Sequence, residues 1–356
     1  MEKTSILLIG YDEHLCLSIV YCLRKANYDI HLLTHNKKTV CRYSRFIKKV
    51  FFYNDYKDIP EAIAEVSRTQ HIDLIMPYDE LESLIVSEHK DWLSEFAPVV
   101  PLTDPKLFQT AINKNNLDAF LASEKIEVMP KSVLLNAGST LKDFNGLKFP
   151  LLIKPSRSSF GRGIVTIKDE ETLKGYLSAK GKNLDGFAAQ EFIVGSDISC
   201  NVFAVDGEIR HYTIQESPVK QLDNYAKNDD LVFHDDPEVI ETISTVTKAL
   251  NWNGVACLDL RRDAQTGKIY LLEINGRFWG SVSSSYDRAN VNFPLIMIKH
   301  TLLKEELQYS KQEGIQISMS RFINELKSLK INQLGLTKYR SYLYDPFARF
   351  LKYMPR

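Results

Sequence analysis

The chain has 356 residues, 44% of them apolar, enough for a large core and more than one ordinary domain holds, so two or three lobes are expected. Forty-five basic residues balance forty-five acidic ones, so no global charge steers the chain toward nucleic acid or an anionic membrane, and any charged ligand must be held locally. Five scattered cysteines (Cys16, Cys22, Cys41, Cys200, Cys257) without a CxxC pair argue against a disulfide framework or a structural zinc site and read as reduced thiols. The apolar stretch near the N-terminus is too short for a signal peptide, and no run of about 18 apolar residues follows, so a cytoplasmic protein is expected.

In chain order, residues 5–10 (SILLIG) form a short buried-type strand, 14–26 a helix and 29–34 a second strand, a β-α-β opening. An amphipathic segment, 59–68, leads to a third strand, 72–77, so the first hundred residues predict a small, mostly parallel, doubly wound sheet. The opening turn reads GYDEH and lacks GxGxxG, which argues against a dinucleotide site. A helix is expected over 106–124, then a β-rich middle beginning at 150–155. Alternating apolar runs over 185–214 suggest an antiparallel sheet, with a helix over 237–250 packed on it. A further helix runs from Pro294 to about Glu306.

Two stretches carry chemistry. IKPSRSSFGRGI (153–164) is a strand ending in lysine and proline, a Ser/Gly loop and a second strand. Such a loop can wrap phosphate oxygens with backbone N–H groups while Lys154, Arg157 and Arg162 add charge; an exposed hairpin with solvated basic residues is the other reading. It is not a Walker A loop. CLDLR (257–261) and IYLLEINGR (269–277) are adjoining strands that present Asp259, Glu273 and Asn275, with 273 and 275 on one face by the period of two. Three hard oxygen donors suit Mg²⁺; the alternative is a solvated acidic face opposite Leu258, Leu260, Leu272 and Ile274.

Taken together and in order over roughly residues 5–300, these stretches resemble the ATP-grasp superfamily, in particular its carboxylate-amine ligase and carbamoyl-phosphate-synthase-like branch. The resemblance implies an α/β and α+β architecture: an N-terminal doubly wound α/β domain (1–105), a linker helix with a small nucleotide-clamping lobe (106–195), a C-terminal metal-binding lobe (196–306) and an aromatic, basic extension (307–356). It also implies ATP with Mg²⁺ or Mn²⁺, two ions in all. In AINKNN (111–116), Lys114 resembles the first phosphate-binding lysine, with Asn113 where many relatives have Asp; Lys154 resembles the second. Ser156, Ser158, Ser159, Phe160, Gly161, Arg162 and Gly163 resemble the glycine-rich lid, expected to close over ATP. In QEFIVGSD (190–197), Gln190 or Glu191 and the backbone of Phe192 and Ile193 resemble the hinge at the adenine edge, with Asp197 on the ribose. Asp259, Glu273 and Asn275 resemble the metal ligands, and Arg277 the arginine on the transferred phosphoryl group.

The implied reaction is phosphorylation of a carboxylate to an acyl phosphate, then capture by an amine or other nucleophile. A bicarbonate-using carboxylase or carbamoyl-phosphate-type enzyme and a non-catalytic nucleotide-binding regulator stay open as alternatives. Substrates are expected to be small-molecule or peptide carboxylates and amines, with no nucleic acid and a possible homodimer. Residues 278–286 either contact the acceptor or cap a helix; Arg288, Arg210, His211 and Lys220 are candidate carboxylate holders. The tail, 338–356, is read as docked on the body in preference to touching a membrane.

Overall fold

The computed structural model describes residues 3–155, 163–180, 183–217, 230–309, 312–317, 319–328 and 343–351. Strands β1 (Thr4–Ile9), β2 (Tyr28–Thr34), β3 (Ile47–Phe52) and β4 (Leu74–Pro77) make a parallel sheet in the order β3-β2-β1-β4. Helices α1 (Glu13–Cys22), α2 (Ile59–Gln70), α3 (Glu80–Glu88) and the short α4 (Lys90–Leu93) connect or follow these strands. Ile6 and Leu8 point into one core with α1, while Leu7 and Ile9 point into another with α2, so the sheet is covered on both faces. Strand β3 was not foreseen: in IKKVFF, Lys48 and Lys49 break the apolar run because this strand lies at the edge of the sheet.

The expected helix over 106–124 is two. Helix α5 (Pro105–Ile112) ends at Asn113, whose backbone is extended at φ −102°, ψ 111° and whose side chain accepts from the N–H groups of Asn115 and Asn116, opening α6 (Lys114–Ser123). The middle of the chain folds into an antiparallel sheet, β5 (Ser132–Leu134), β6 (Leu151–Pro155), β7 (Val165–Ile167) and β8 (Phe187–Glu191), in the order β5-β8-β6-β7, with helix α7 (Glu170–Lys180) and its own small core around Leu151, Ile153 and Ala189.

The third sheet runs β13-β12-β9-β10-β11-β14, built from β9 (Gly195–Val205), β10 (Glu208–Glu216), β11 (Leu231–His234), β12 (Gly254–Asp263), β13 (Ile269–Asn275) and β14 (Gly314–Gln316). Helix α8 (Pro237–Ala249) covers one face through Val239, Ile243 and Val246. Helices α9 (Val282–Ala289) and α10 (Phe293–Leu303) lie on the other, where Phe203, Cys257 and Phe278 join one continuous core with the first sheet. Helix α11 (Met319–Lys327) follows.

The described part of the tail returns to the first lobe. Asp345 is buried and accepts from the Ser44 hydroxyl and, at 3.4 Å, from the Arg45 N–H, and the Arg24 guanidinium stands 4.6 Å from the Tyr344 ring centroid. Ala348 is buried while Phe347 is exposed. Tyr339, Tyr342 and Tyr353 lie outside the described residues. No helix among the described residues is long and apolar enough to cross a membrane.

Candidate active site

The antiparallel pairing of β12 with β13 sets Asp259 opposite Glu273, and Cys257 opposite Asn275. Period-two alternation then turns Leu258, Leu260 and Ile274 into the core and the polar side chains to the other face. Asn275 Nδ2 donates to Asp259 Oδ2 at 3.3 Å and stands 3.5 Å from Glu273 Oε1; Ser199 Oγ donates to Asp259 Oδ1 at 2.9 Å. Burial, with the Glu273 charge added, pushes the Asp259 carboxyl up; burial also pushes Glu273 up, but the nearby Lys114 ammonium outweighs it and holds Glu273 below the usual range. Lys114 Nζ lies 2.5 Å from Glu273 Oε2. Its position at the first residue of α6 places an ammonium at a helix N-terminus, the positive end of the helix dipole, a combination that attracts phosphate.

Lys154 reaches the same cleft from β6. Its ammonium donates to Gln190 Oε1 at 2.5 Å, and burial, assisted by Lys114, pushes it down to about 8. Lys114, Asp118, Ser132, Lys154, Ala188, Gln190 and Leu272 line this cleft between the second and third sheets. Glu191 Oε1 accepts from the Lys148 N–H at 2.9 Å, and the Phe192 N–H donates to the Pro150 carbonyl at 3.0 Å, so in this state those two hinge groups are engaged within the chain; Ile193 is buried beside them. Asp197 pairs with Arg261 at 3.2 Å, and Arg261 in turn covers the Phe192 ring at 4.6 Å. Of the lid, Gly163 is described, at φ +77°, with Pro155 Cγ 3.1 Å from where a Cβ would sit; Ser156, Ser158, Ser159, Phe160, Gly161 and Arg162 lie outside the described residues, as does Lys220.

Arg277 follows the metal-type strand, its Nη1 donating to the Phe278 carbonyl at 2.8 Å. Glu80 Oε2 accepts from the Gly276 N–H at 3.3 Å, which ties this turn to α3 of the first lobe. Ser281 precedes α9 without capping it: its hydroxyl donates to Gln215 Oε1 at 2.8 Å, and Gln215, Ser199, Asp259 and Glu273 form one register row across four strands. Arg210 pairs with Glu306 at 3.5 Å and His211 packs edge-on to Tyr309, five and four residues along β10 from that row. Ser199, Gln215, Glu80 and Arg261 were not singled out in the sequence. The alternation Asp197, Ser199, Asn201 was the available signal for Ser199; the others come from cross-strand register and lobe packing.

A parallel N-terminal sheet, a small antiparallel lobe and a larger antiparallel sheet, with a lysine-lined cleft between the last two, define the ATP-grasp fold. Among solved structures, N5-carboxyaminoimidazole synthetase from Staphylococcus aureus complexed with ADP superposes with a TM-score of 0.69 at 16% identity, over 96% of this chain and 98% of that one. L-amino acid ligase from Bacillus licheniformis superposes with a TM-score of 0.66 at 16% identity, over 85% of this chain and 75% of that one. Residues 187–321 match the family described as ATP-grasp in the biosynthetic pathway with Ter operon. The chain is 24% identical over 184 residues to D-alanine–D-alanine ligase of Polaromonas naphthalenivorans (strain CJ2), covering 46% of this chain and 56% of that one. It spans about half the length of the curated relatives it matches. The family match, the relatives and the superposed structures together support the ATP-grasp superfamily.

Proposed function

We propose that the chain is a Mg-ATP-dependent ligase that phosphorylates a substrate carboxylate and couples the acyl phosphate to an amine, releasing ADP and phosphate. The observation that carries this reading is the convergence of Asp259, Glu273 and Asn275 from two paired strands with Lys114 and Lys154 from two other elements. The oxygens of Asp259, Glu273 and Asn275 are the hard donors that Mg²⁺ or Mn²⁺ takes, and two buried carboxylates side by side lack a cation that Lys114 partly supplies. Bound Mg²⁺ would neutralise charge on the ATP phosphates and help hold them in line.

Lys114 and Lys154 position the phosphates and Arg277 meets the oxygens of the transferring group. Preorganised cations stabilise charge spread over those oxygens better than mobile water does. The substrate carboxylate attacks the γ-phosphorus; the amine then attacks the acyl carbon, and phosphate leaves with the electron pair of the cleaved bond. The lid over 158–163 closes over the nucleotide and keeps water from the acyl phosphate. Gln190 and the Phe192–Ile193 backbone take the adenine edge and Asp197 the ribose, once Asp197 exchanges Arg261 for hydroxyls.

Phosphate release from ATP with Mg²⁺, in pools of carboxylates and amines, tests the reading. Release of ADP and phosphate that depends on substrate and falls at least a hundredfold in Glu273→Ala is expected, a loss of about 2.7 kcal/mol of transition-state stabilisation. AMP and pyrophosphate as products would replace the acyl-phosphate route by adenylation.

A further inference from the structure

The nucleotide chemistry leaves unused a buried chain of polar groups at the carboxyl ends of the N-terminal strands. Glu82 on α3 is 2% exposed and accepts from the Tyr53 hydroxyl at 2.8 Å, and Nδ1 of His35 lies 3.2 Å from the same hydroxyl oxygen. With Glu82 ionised, Tyr53 gives its one proton to that carboxylate, so its oxygen can only accept and His35 carries its hydrogen on Nδ1. That tautomer leaves a lone pair on Nε2. The Tyr11 ring stacks on His35 at 4.4 Å and 13°, and Tyr53 and Tyr56 meet it edge-on at 5.4 and 5.3 Å, so the imidazole is held in one plane. Burial, with the Asp79 charge added, pushes the Glu82 carboxyl up to about 7, which suits it to receive a proton near neutrality. Lys37, two residues on, is held by Asn54 at 2.9 Å.

The place is one where open α/β sheets take ligands: β2 lies on one side of β1 and β4 on the other, so the strand order reverses at β1. Here the amides that could cradle an anion are already satisfied by the chain itself. Asp79 Oδ2 accepts from the N–H groups of Tyr11 and Asp12, each at 2.7 Å, and Asp12 Oδ1 from those of His14 and Leu15 at 2.7 and 3.0 Å. A phosphate or carboxylate would meet two carboxylates in place of donors, whereas a cation would meet them, and the half-exposed Tyr11 ring, favourably. The Arg277 charge acts on the Asp79 carboxyl and holds it lower than burial alone would.

We propose that the nucleophile binds here as a protonated primary amine and that the His35–Tyr53–Glu82 chain removes its proton, an assignment that rests on the ligase reading. The step balances: the ammonium proton passes to His35 Nε2, the Nδ1 proton to the Tyr53 oxygen and the Tyr53 proton to Glu82. The neutral amine then forms the C–N bond as the C–O bond to phosphate breaks, and its second proton leaves with the phosphate.

Nitrogen-15 histidine NMR on the full chain, with ethylammonium chloride or sodium acetate added at constant ionic strength, tests the assignment. His35, identified with His35→Asn, is expected as the Nδ1–H tautomer, and Tyr53→Phe is expected to move it to Nε2–H. Ethylammonium, and not acetate, should shift its signals, with Glu82→Gln weakening that binding about tenfold. An Nε2–H tautomer in the unaltered chain, a response to acetate, or no response to ethylammonium overturns the proposal. These readings need no ATP turnover, so a failed ligase assay leaves them standing. Turnover in amine pools that is unchanged by His35→Asn overturns the amine site while keeping the ligase.

Discussion

Lys154 joins its proposed phosphate-binding role to a cost in stability. Its ammonium sits half-buried with one hydrogen bond, to Gln190, and burial holds it at about 8, below the free value of 10.5. Between those two values the unfolded chain binds more protons, so this residue's contribution to stability improves as pH rises through that window, and its cost is fully present below about 8. Lys154→Met should therefore stabilise the ligand-free protein at pH 7 by roughly 1–3 kcal/mol and abolish the stabilisation that Mg-ATP confers. Denaturant melts with and without Mg-ATP check both; the gain should disappear above pH 10.5, where the lysine is neutral in either state. Lys154, Glu273 and Asn275 were legible in the sequence because each stands on a strand whose alternation shows its face. Asp197 was legible as a residue, but its pairing with Arg261 was not, since that contact depends on β9 lying beside β12.

At the scale of elements, the break at Asn113 matters most. Read as one helix, 106–124 would leave Lys114 in mid-helix; the cap at Asn113 makes it the first residue of α6, at the positive end of the helix dipole. Asn113→Ala should cost about 1 kcal/mol of stability and weaken nucleotide binding severalfold, since both the cap and the lysine's aim are lost. Calorimetric titration with ADP and Mg²⁺, alongside a denaturant melt, separates the two effects. A further constraint stands where the small lobe joins the large sheet: a Cβ on Gly195 would come 1.7 Å from the Arg262 carbonyl oxygen, on backbone that cannot yield cheaply. Gly195→Ala should part the ends of β9 and β12 and cost roughly 1–3 kcal/mol or more, read as lost amide protection over 195–199. Neither the helix break nor this close approach has a strong sequence signal, because Asn is tolerated inside helices and Gly in strands.

Across the whole molecule, the first and third sheets share one apolar core, while the small lobe keeps its own, so the small lobe can shift over the cleft with little core disrupted. The tail helps hold the first lobe: Asp345 is buried against Ser44 and Arg45, more than 300 residues away for Ser44 by chain separation of 301. Asp345→Ala should destabilise the chain by roughly 1–3 kcal/mol and raise hydrogen exchange over 40–43, because Ser44 and the Arg45 N–H lose a buried acceptor.

By itself the sequence determined the parallel opening sheet and the hairpin of Asp259, Glu273 and Asn275, because these rest on local alternation and on spacing within about 20 residues; Lys114 and Lys154 were picked out as phosphate lysines through the resemblance. The tertiary structure alone decided that Lys114 meets Glu273, that Gln215 and Ser199 extend the Asp259 row, and that Glu82, Tyr53 and His35 form one chain. Those contacts join residues from separate strands and helices, and their partners are chosen by sheet order and lobe packing, which no short window of sequence contains.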